Sequence, residues 1–169
     1  MRLHLVLAGF YFLLISGAAG LTDFSGTWML DLRASSSPEP ILKRLGASWV
    51  ERTLGSSLQL QSTYTQTPDL LTVQLRGPGF KRTDVMHINN KPTTKEEART
   101  GRYTIRTFWS ARGTQLVSAI SLRTKDSRDA QFVIVRDLAD RGQTLVLTGT
   151  LRVTGESGTY TVRRVWRKR

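Results

Sequence analysis

The feature that most constrains this chain is a rhythm. Ten short segments alternate apolar and polar residues or carry strand-forming residue types, and a turn closes almost every one. They run Thr27–Leu32, Leu58–Thr65, Leu70–Arg76, Phe80–Ile88, Pro92–Ala98, Arg102–Ser110, Gly113–Leu122, Ala130–Leu138, Thr144–Val153 and Thr159–Lys168. Leu58–Thr65 reads LQLQSTYT and Leu70–Arg76 reads LLTVQLR, the period of two that places one face inward and one outward. Pro68-Asp69, Gly77-Pro78-Gly79, Asn89-Asn90, Arg141-Gly142 and Gly155–Gly158 are turn chemistry. Strands at such even spacing predict a meander that closes into a barrel or a sandwich. No linker divides the segments, and 169 residues suit one domain.

One stretch breaks the rhythm. Ser35-Ser36-Ser37-Pro38-Glu39-Pro40 offers capping hydroxyls and then prolines suited to a first helical turn. Ile41, Leu42 and Leu45 follow at helical spacing around the basic Lys43 and Arg44, and Gly46 reads as a stop. Ser48 opens a second short helix carrying Trp49, Val50 and Leu54, with Gly55-Ser56-Ser57 as its end. The expectation is a helix-turn-helix, confined to about residues 38–54, between the first and second strands.

Face assignment exposes a chemical problem. In Ala130–Leu138, Phe132, Ile134, Arg136 and Leu138 share a face; in the last strand, Tyr160, Val162, Arg164, Trp166 and Lys168 do. If the large apolar residues point inward, Arg136 and Arg164 point inward with them. A guanidinium in an apolar interior is costly unless it meets an anion or a hydrogen-bond network. An acidic ligand group would satisfy it. The expected ligand contacts are therefore Arg136, Arg164, Trp166, Phe132 and Ile134, with Leu145 and Leu147 from the strand between. Trp28 is expected to plug the core instead.

The first twenty residues differ from the rest. Arg2 precedes the apolar run Leu3–Ser16, and Gly17-Ala18-Ala19-Gly20 supplies small residues, the order of a secretory signal peptide. Residues 1–20 are thus expected to be a signal and 21–169 a secreted domain. The chain has no cysteine, so this domain must stand without disulfides. Its charge of +12, from 25 Lys and Arg against 13 Asp and Glu, favours anionic partners such as membrane headgroups or glycans. Export lowers the expectation of nucleic acid. Lys43 and Arg44 are the candidate contacts to an anionic membrane.

Enzymatic chemistry finds little support. His87 is the only histidine beyond the N-terminal segment, and there is neither a metal-ligand cluster nor a nucleophile elbow. Glu96 and Glu97 are adjacent, so in a strand they face opposite ways. No glycine-rich phosphate loop opens a helix. No cofactor or metal is expected.

Four segments together resemble a known family. Gly26-Thr27-Trp28 resembles the Gly-x-Trp opening shared by lipocalins and fatty-acid-binding proteins. Ile41–Gly46, with Trp49 and Arg52 beyond, is similar to the two-helix lid of fatty-acid-binding proteins, and Ile134-Val135-Arg136-Asp137 to the strand that carries a buried arginine there. Arg164-Val165-Trp166 resembles that family's closing Arg-x-Tyr, with tryptophan in place of tyrosine. The resemblance implies an all-β fold: a ten-stranded antiparallel up-and-down β-barrel, or β-clam, with a helix-turn-helix lid between strands 1 and 2. It implies a monomeric, non-enzymatic carrier of a fatty acid or related anionic lipid, with Ile41, Leu42 and Leu45 in the lid. Alternatives are a lipocalin-type transporter, a basic protein whose surface recognises anionic membrane or glycan, and, more weakly, a barrel enzyme acting on a hydrophobic substrate.

Overall fold

The computed structural model describes residues 20–97 and 101–169. The expected signal segment lies outside them except for Gly20, as does Ala98 at the end of the expected fifth strand. Ten strands form one antiparallel sheet: β1 (Gly26–Asp31), β2 (Gln61–Gln66), β3 (Leu70–Gly77), β4 (Phe80–His87), β5 (Thr93–Glu97), β6 (Gly101–Trp109), β7 (Leu116–Arg123), β8 (Asp129–Ala139), β9 (Thr144–Val153) and β10 (Thr159–Lys168). Two helices, α1 (Glu39–Arg44) and α2 (Trp49–Ser57), stand between β1 and β2.

The sheet order is β4-β3-β2-β1-β10-β9-β8-β7-β6-β5. Consecutive strands pair except β4 and β5, and the chain ends meet where β1 pairs β10, with Leu30 opposite Trp166. At the first position of β1, Gly26 takes φ +137°, and a Cβ there would lie 3.3 Å from the Lys168 side chain. Glycine is therefore required two residues before Trp28. The curl leaves one seam, between β4 and β5, which share no ladder. At its lower end a bridge joins Ile88 to Thr107, and the Asn90 amide donates to the Thr107 carbonyl.

The inward faces build two apolar clusters. The lower one includes Phe24, Trp28, Leu71, Leu116 and Leu145, all fully buried. Each large side chain placed there contributes on the order of 1.5–3 kcal/mol. Trp28 is the core plug expected, its indole N–H donating to the Phe24 carbonyl (3.1 Å) and the Lys168 ammonium lying over its ring. The upper cluster gathers Ile41 of α1 with Leu122, Leu151, Val153 and Val162.

The helices differ from expectation in their caps. The residue at the N-cap of α1 is Pro38, with no side-chain cap; Ser37 accepts instead from the Glu39 amide. Ser48 does cap α2, and Glu51 reciprocates in a capping box. α2 runs on through Gly55-Ser56-Ser57, past the expected stop. Ser56 and Ser57 bond back to the carbonyls of Arg52 and Thr53, which satisfies their hydroxyls inside the helix. Gly55 lies against Leu42, where a Cβ would come within 2.9 Å of the leucine methyl. The second strand consequently starts at Gln61 rather than Leu58.

Candidate functional site: a cavity with a buried arginine

Between the clusters lies a cavity of about 330 Å³. Val73, Leu75, Ile105, Ile120, Ile134 and Leu147 form its apolar wall. Arg136, Met86 and Trp166 also line the cavity, and their burial marks its deep end. Arg136 is 5 % exposed. Its Nη1 donates to the Ser118 hydroxyl (2.9 Å) and its Nη2 meets the Met86 thioether (3.5 Å). The Nε hydrogen has no partner, and neither does the buried indole N–H of Trp166. Among the described residues no carboxylate pairs with Arg136. The deep end therefore presents a positive charge and two unused donors beside hydrocarbon.

Arg164 stands in the same row of the wall, since Leu147 pairs with Arg136 on one side and Arg164 on the other. Its side chain takes another course. It reaches the lid, donating to the carbonyls of Ser36 (3.3 Å) and Gly55 (3.5 Å), the latter in the last turn of α2. Burial without a carboxylate lowers its pKa from the ordinary arginine value.

No protein-family model matches the sequence, and no curated protein does. Solved structures do. Lipid binding protein 8 of Caenorhabditis elegans superposes with a TM-score of 0.68 at 15 % identity, over 89 % of this chain and all of its own (100 %). The Schistosoma mansoni fatty acid binding protein in complex with arachidonic acid gives 0.63 at 18 % identity, over 86 % of this chain and 96 % of its own. A fatty-acid-binding protein from Drosophila melanogaster brain gives 0.61 at 19 % identity, over 86 % and 99 %. The chain has the fatty-acid-binding-protein fold.

Within that fold the seven expected ligand contacts divide. Arg136, Trp166, Ile134 and Leu147 line the cavity. Leu145 does not; it is fully buried in the lower cluster. Phe132 packs with the upper cluster, beneath the lid. Arg164 tethers the lid. Period-two alternation gives the face of a residue but not its height in the barrel, and height separates these groups.

The lid residues divide as well. Ile41 is buried, and Leu45 packs against the upper cluster. Lys43 is exposed, as a surface contact requires. Arg44 is not a free cation: it pairs with Glu156 and lies over the Tyr160 ring. Glu156 also pairs with Arg128 (2.6 Å) and accepts from the Tyr160 hydroxyl. The basic residue nearest the helix end is thus spent on anchoring α1. By contrast α2 buries no residue; Trp49 is 70 % exposed, Val50 55 % and Leu54 45 %.

The sequence reading missed the polar mouth of the cavity. Arg82, Asp84, Lys95 and Tyr103 line it. Their signal was present: Arg82, Asp84 and Met86 alternate along one strand. Charged residues at inward positions read as outward ones when no apolar partner marks the face.

Proposed function

We propose that the protein binds and carries a small hydrophobic molecule with an acidic group, of the fatty-acid class, non-covalently and without catalysis. One observation supports this above the others: the Arg136 guanidinium is buried in an apolar cavity with a hydroxyl, a thioether and no carboxylate as its neighbours. A ligand carboxylate placed there gains charge-assisted bonds from groups otherwise left unsatisfied. The cavity volume falls in the range of small-ligand sites. Residues 1–20 are proposed to direct the chain to export, and sequencing the N-terminus of secreted protein checks this; an intact Met1 on the mature chain contradicts it. The test of function is a titration with a long-chain fatty acid and with the alcohol of equal length. Preference for the acid is expected, and equal affinity contradicts an acid site. Mass spectrometry of the small molecule that copurifies gives an independent answer.

A second reading concerns the surface. The apolar Trp49, Val50 and Leu54 of α2, with Lys43 nearby in the chain, suit contact with an anionic membrane. An open groove of about 550 Å³ carries Arg102, Arg123 and Arg152 against the single carboxylate of Asp129. Binding that disappears with salt and survives an occluded cavity favours a surface function instead.

A further inference from the structure

The cavity has a second polar region, and it differs in kind from the first. At the mouth, Arg82 donates to both oxygens of Asp84 (2.8 and 3.0 Å) and to Glu97 (2.5 Å). The Tyr103 hydroxyl donates to the same Glu97 oxygen (3.2 Å). Lys95 donates to the Val85 carbonyl (3.2 Å) across the β4–β5 seam. That is its one hydrogen bond among the described residues, and an ammonium has three donors. Two cations and two carboxylates leave the mouth with no net charge, whereas Arg136 at the deep end has none of them beside it. Free donors remain on Lys95, and each Asp84 oxygen has further lone-pair capacity.

Such a neutral cluster complements an uncharged group that both accepts and donates. A second carboxylate would meet Asp84 and Glu97 as well as Lys95. A bare methylene chain would cover Lys95 and Asp84 and give nothing back for their lost water. A hydroxyl can accept from Lys95 and donate to Asp84. Its distance from the acid site follows from the strand. Met86, which touches Arg136, Asp84 and Arg82 are successive inward positions on β4. Each inward step is roughly 7 Å, so Asp84 and Arg82 stand about 7 and about 13 Å above the acid site.

We propose that the preferred ligand is a hydroxylated long-chain acid, its carboxylate at Arg136 and a mid-chain hydroxyl at Lys95 and Asp84. This rests on the reading of the deep cavity as an acid site. Lys95 is then the residue that sets specificity. A site built around a substrate hydroxyl discriminates strongly against the analogue without it.

The experiment compares stearic acid, its mid-chain hydroxylated derivative and its α-hydroxylated derivative by calorimetric titration of the full chain. The mid-chain derivative is expected to bind about tenfold more tightly than stearic acid, as one extra satisfied bond to a charged group implies. The α-hydroxylated acid is expected to gain nothing, because its hydroxyl lies at the Arg136 end. Lys95→Met is expected to bring the mid-chain derivative to the affinity of stearic acid; Lys95→Gln, which keeps a donor, retains part of the preference. Equal binding of stearic acid and its mid-chain derivative overturns the proposal, and so does a preference that survives Lys95→Met. A gain for the α-hydroxylated acid equal to that of the mid-chain one also overturns it. A protein that binds stearic acid and ignores the hydroxyl keeps the acid site and loses only this inference. A protein that binds none of the three loses both.

Discussion

Arg136 and Arg164 flank Leu147 in one row of the barrel wall, and each has an inward position on its strand. Their surroundings make them different instruments. Arg136 stays at the floor, against Ser118 and Met86, with one N–H unused. Arg164 rises to the roof and spends two donors on backbone carbonyls of the lid. A cation at a helix C-terminus interacts favourably with the carbonyls there, so Arg164 is satisfied without a ligand. Position in a sheet therefore does not assign a role; what a donor has already bonded to does. The floor can gain from a ligand, while the roof already has its partners.

The largest expected effect breaks this comparison at the floor. Arg136→Met should weaken binding of a fatty acid by about 1.5–3 kcal/mol, roughly ten- to hundredfold, the worth of a hydrogen bond to a charged group. Binding of the alcohol of equal length should change little. The empty protein should become no less stable, because a costly buried cation is removed and an apolar side chain of similar length replaces it. Calorimetric titration and denaturant melts read both. Equal losses for acid and alcohol would mean that Arg136 holds the wall rather than the ligand.

A smaller effect sharpens the floor's composition. Trp166→Phe keeps the ring surface and removes the unpartnered indole donor. The indole is an uncharged donor, so its bond to the ligand carboxylate falls at the low end for a charged acceptor, about 1.5 kcal/mol, and acid binding should weaken roughly tenfold. Unchanged affinity would show that the indole does not reach the ligand. Trp166→Tyr tests the same point in reverse, since a hydroxyl there should restore or strengthen binding of the acid.

At the roof the expectation is of another type. Arg164→Met should alter acid and alcohol binding alike, by less than roughly threefold, while stability falls by about 1 kcal/mol. Amide exchange in α2 should rise, since that helix buries no residue and loses a tether at Gly55. A selective loss of acid binding would return Arg164 to the ligand site.

These two arginines also mark how far the sequence could be read. The ten strands and the helical interruption followed from residue period and turn chemistry, and the inward facing of Arg136, Arg164 and Trp166 followed from the period of two. The floor was legible because Arg136 is a polar break in an apolar face that includes Ile134, with Trp166 on an inward face of β10. The roof was not. Whether Arg164 turns down or up depends on Gly55 and Ser36, more than a hundred residues away in the chain. The same holds for Arg44, whose partner Glu156 lies in a distant turn. Lys95, Arg82 and Asp84 stayed hidden because strands bordering a seam carry charge on the inward face without an apolar signature.

The smallest effect separates roof from floor by acid alone. Asp126 sits in the turn beneath α1, where it accepts from the Thr124 hydroxyl and from Arg128, and Arg128 in turn holds Glu156 and through it Arg44. The Thr124 hydrogen bond, then that from Arg128, lowers the Asp126 pKa to about 2. A depressed carboxylate contributes stability that is present above its unfolded value, near 4, and is lost as pH falls through its folded one. The contribution should therefore disappear between about pH 4 and pH 2. Because Asp126 is exposed, solvent screens the interaction and the change is modest. In ligand-free protein, amides of residues 41–45 and 124–128 should begin to exchange faster across that window. Amides around Ser118 should not, since the Arg136 site contains no carboxylate to protonate. Asp126→Asn should flatten the response of the turn without touching the floor. A floor that loosened in step with the roof would show the two regions to be one cooperative unit, and the division between the two arginines would then be one of contacts only.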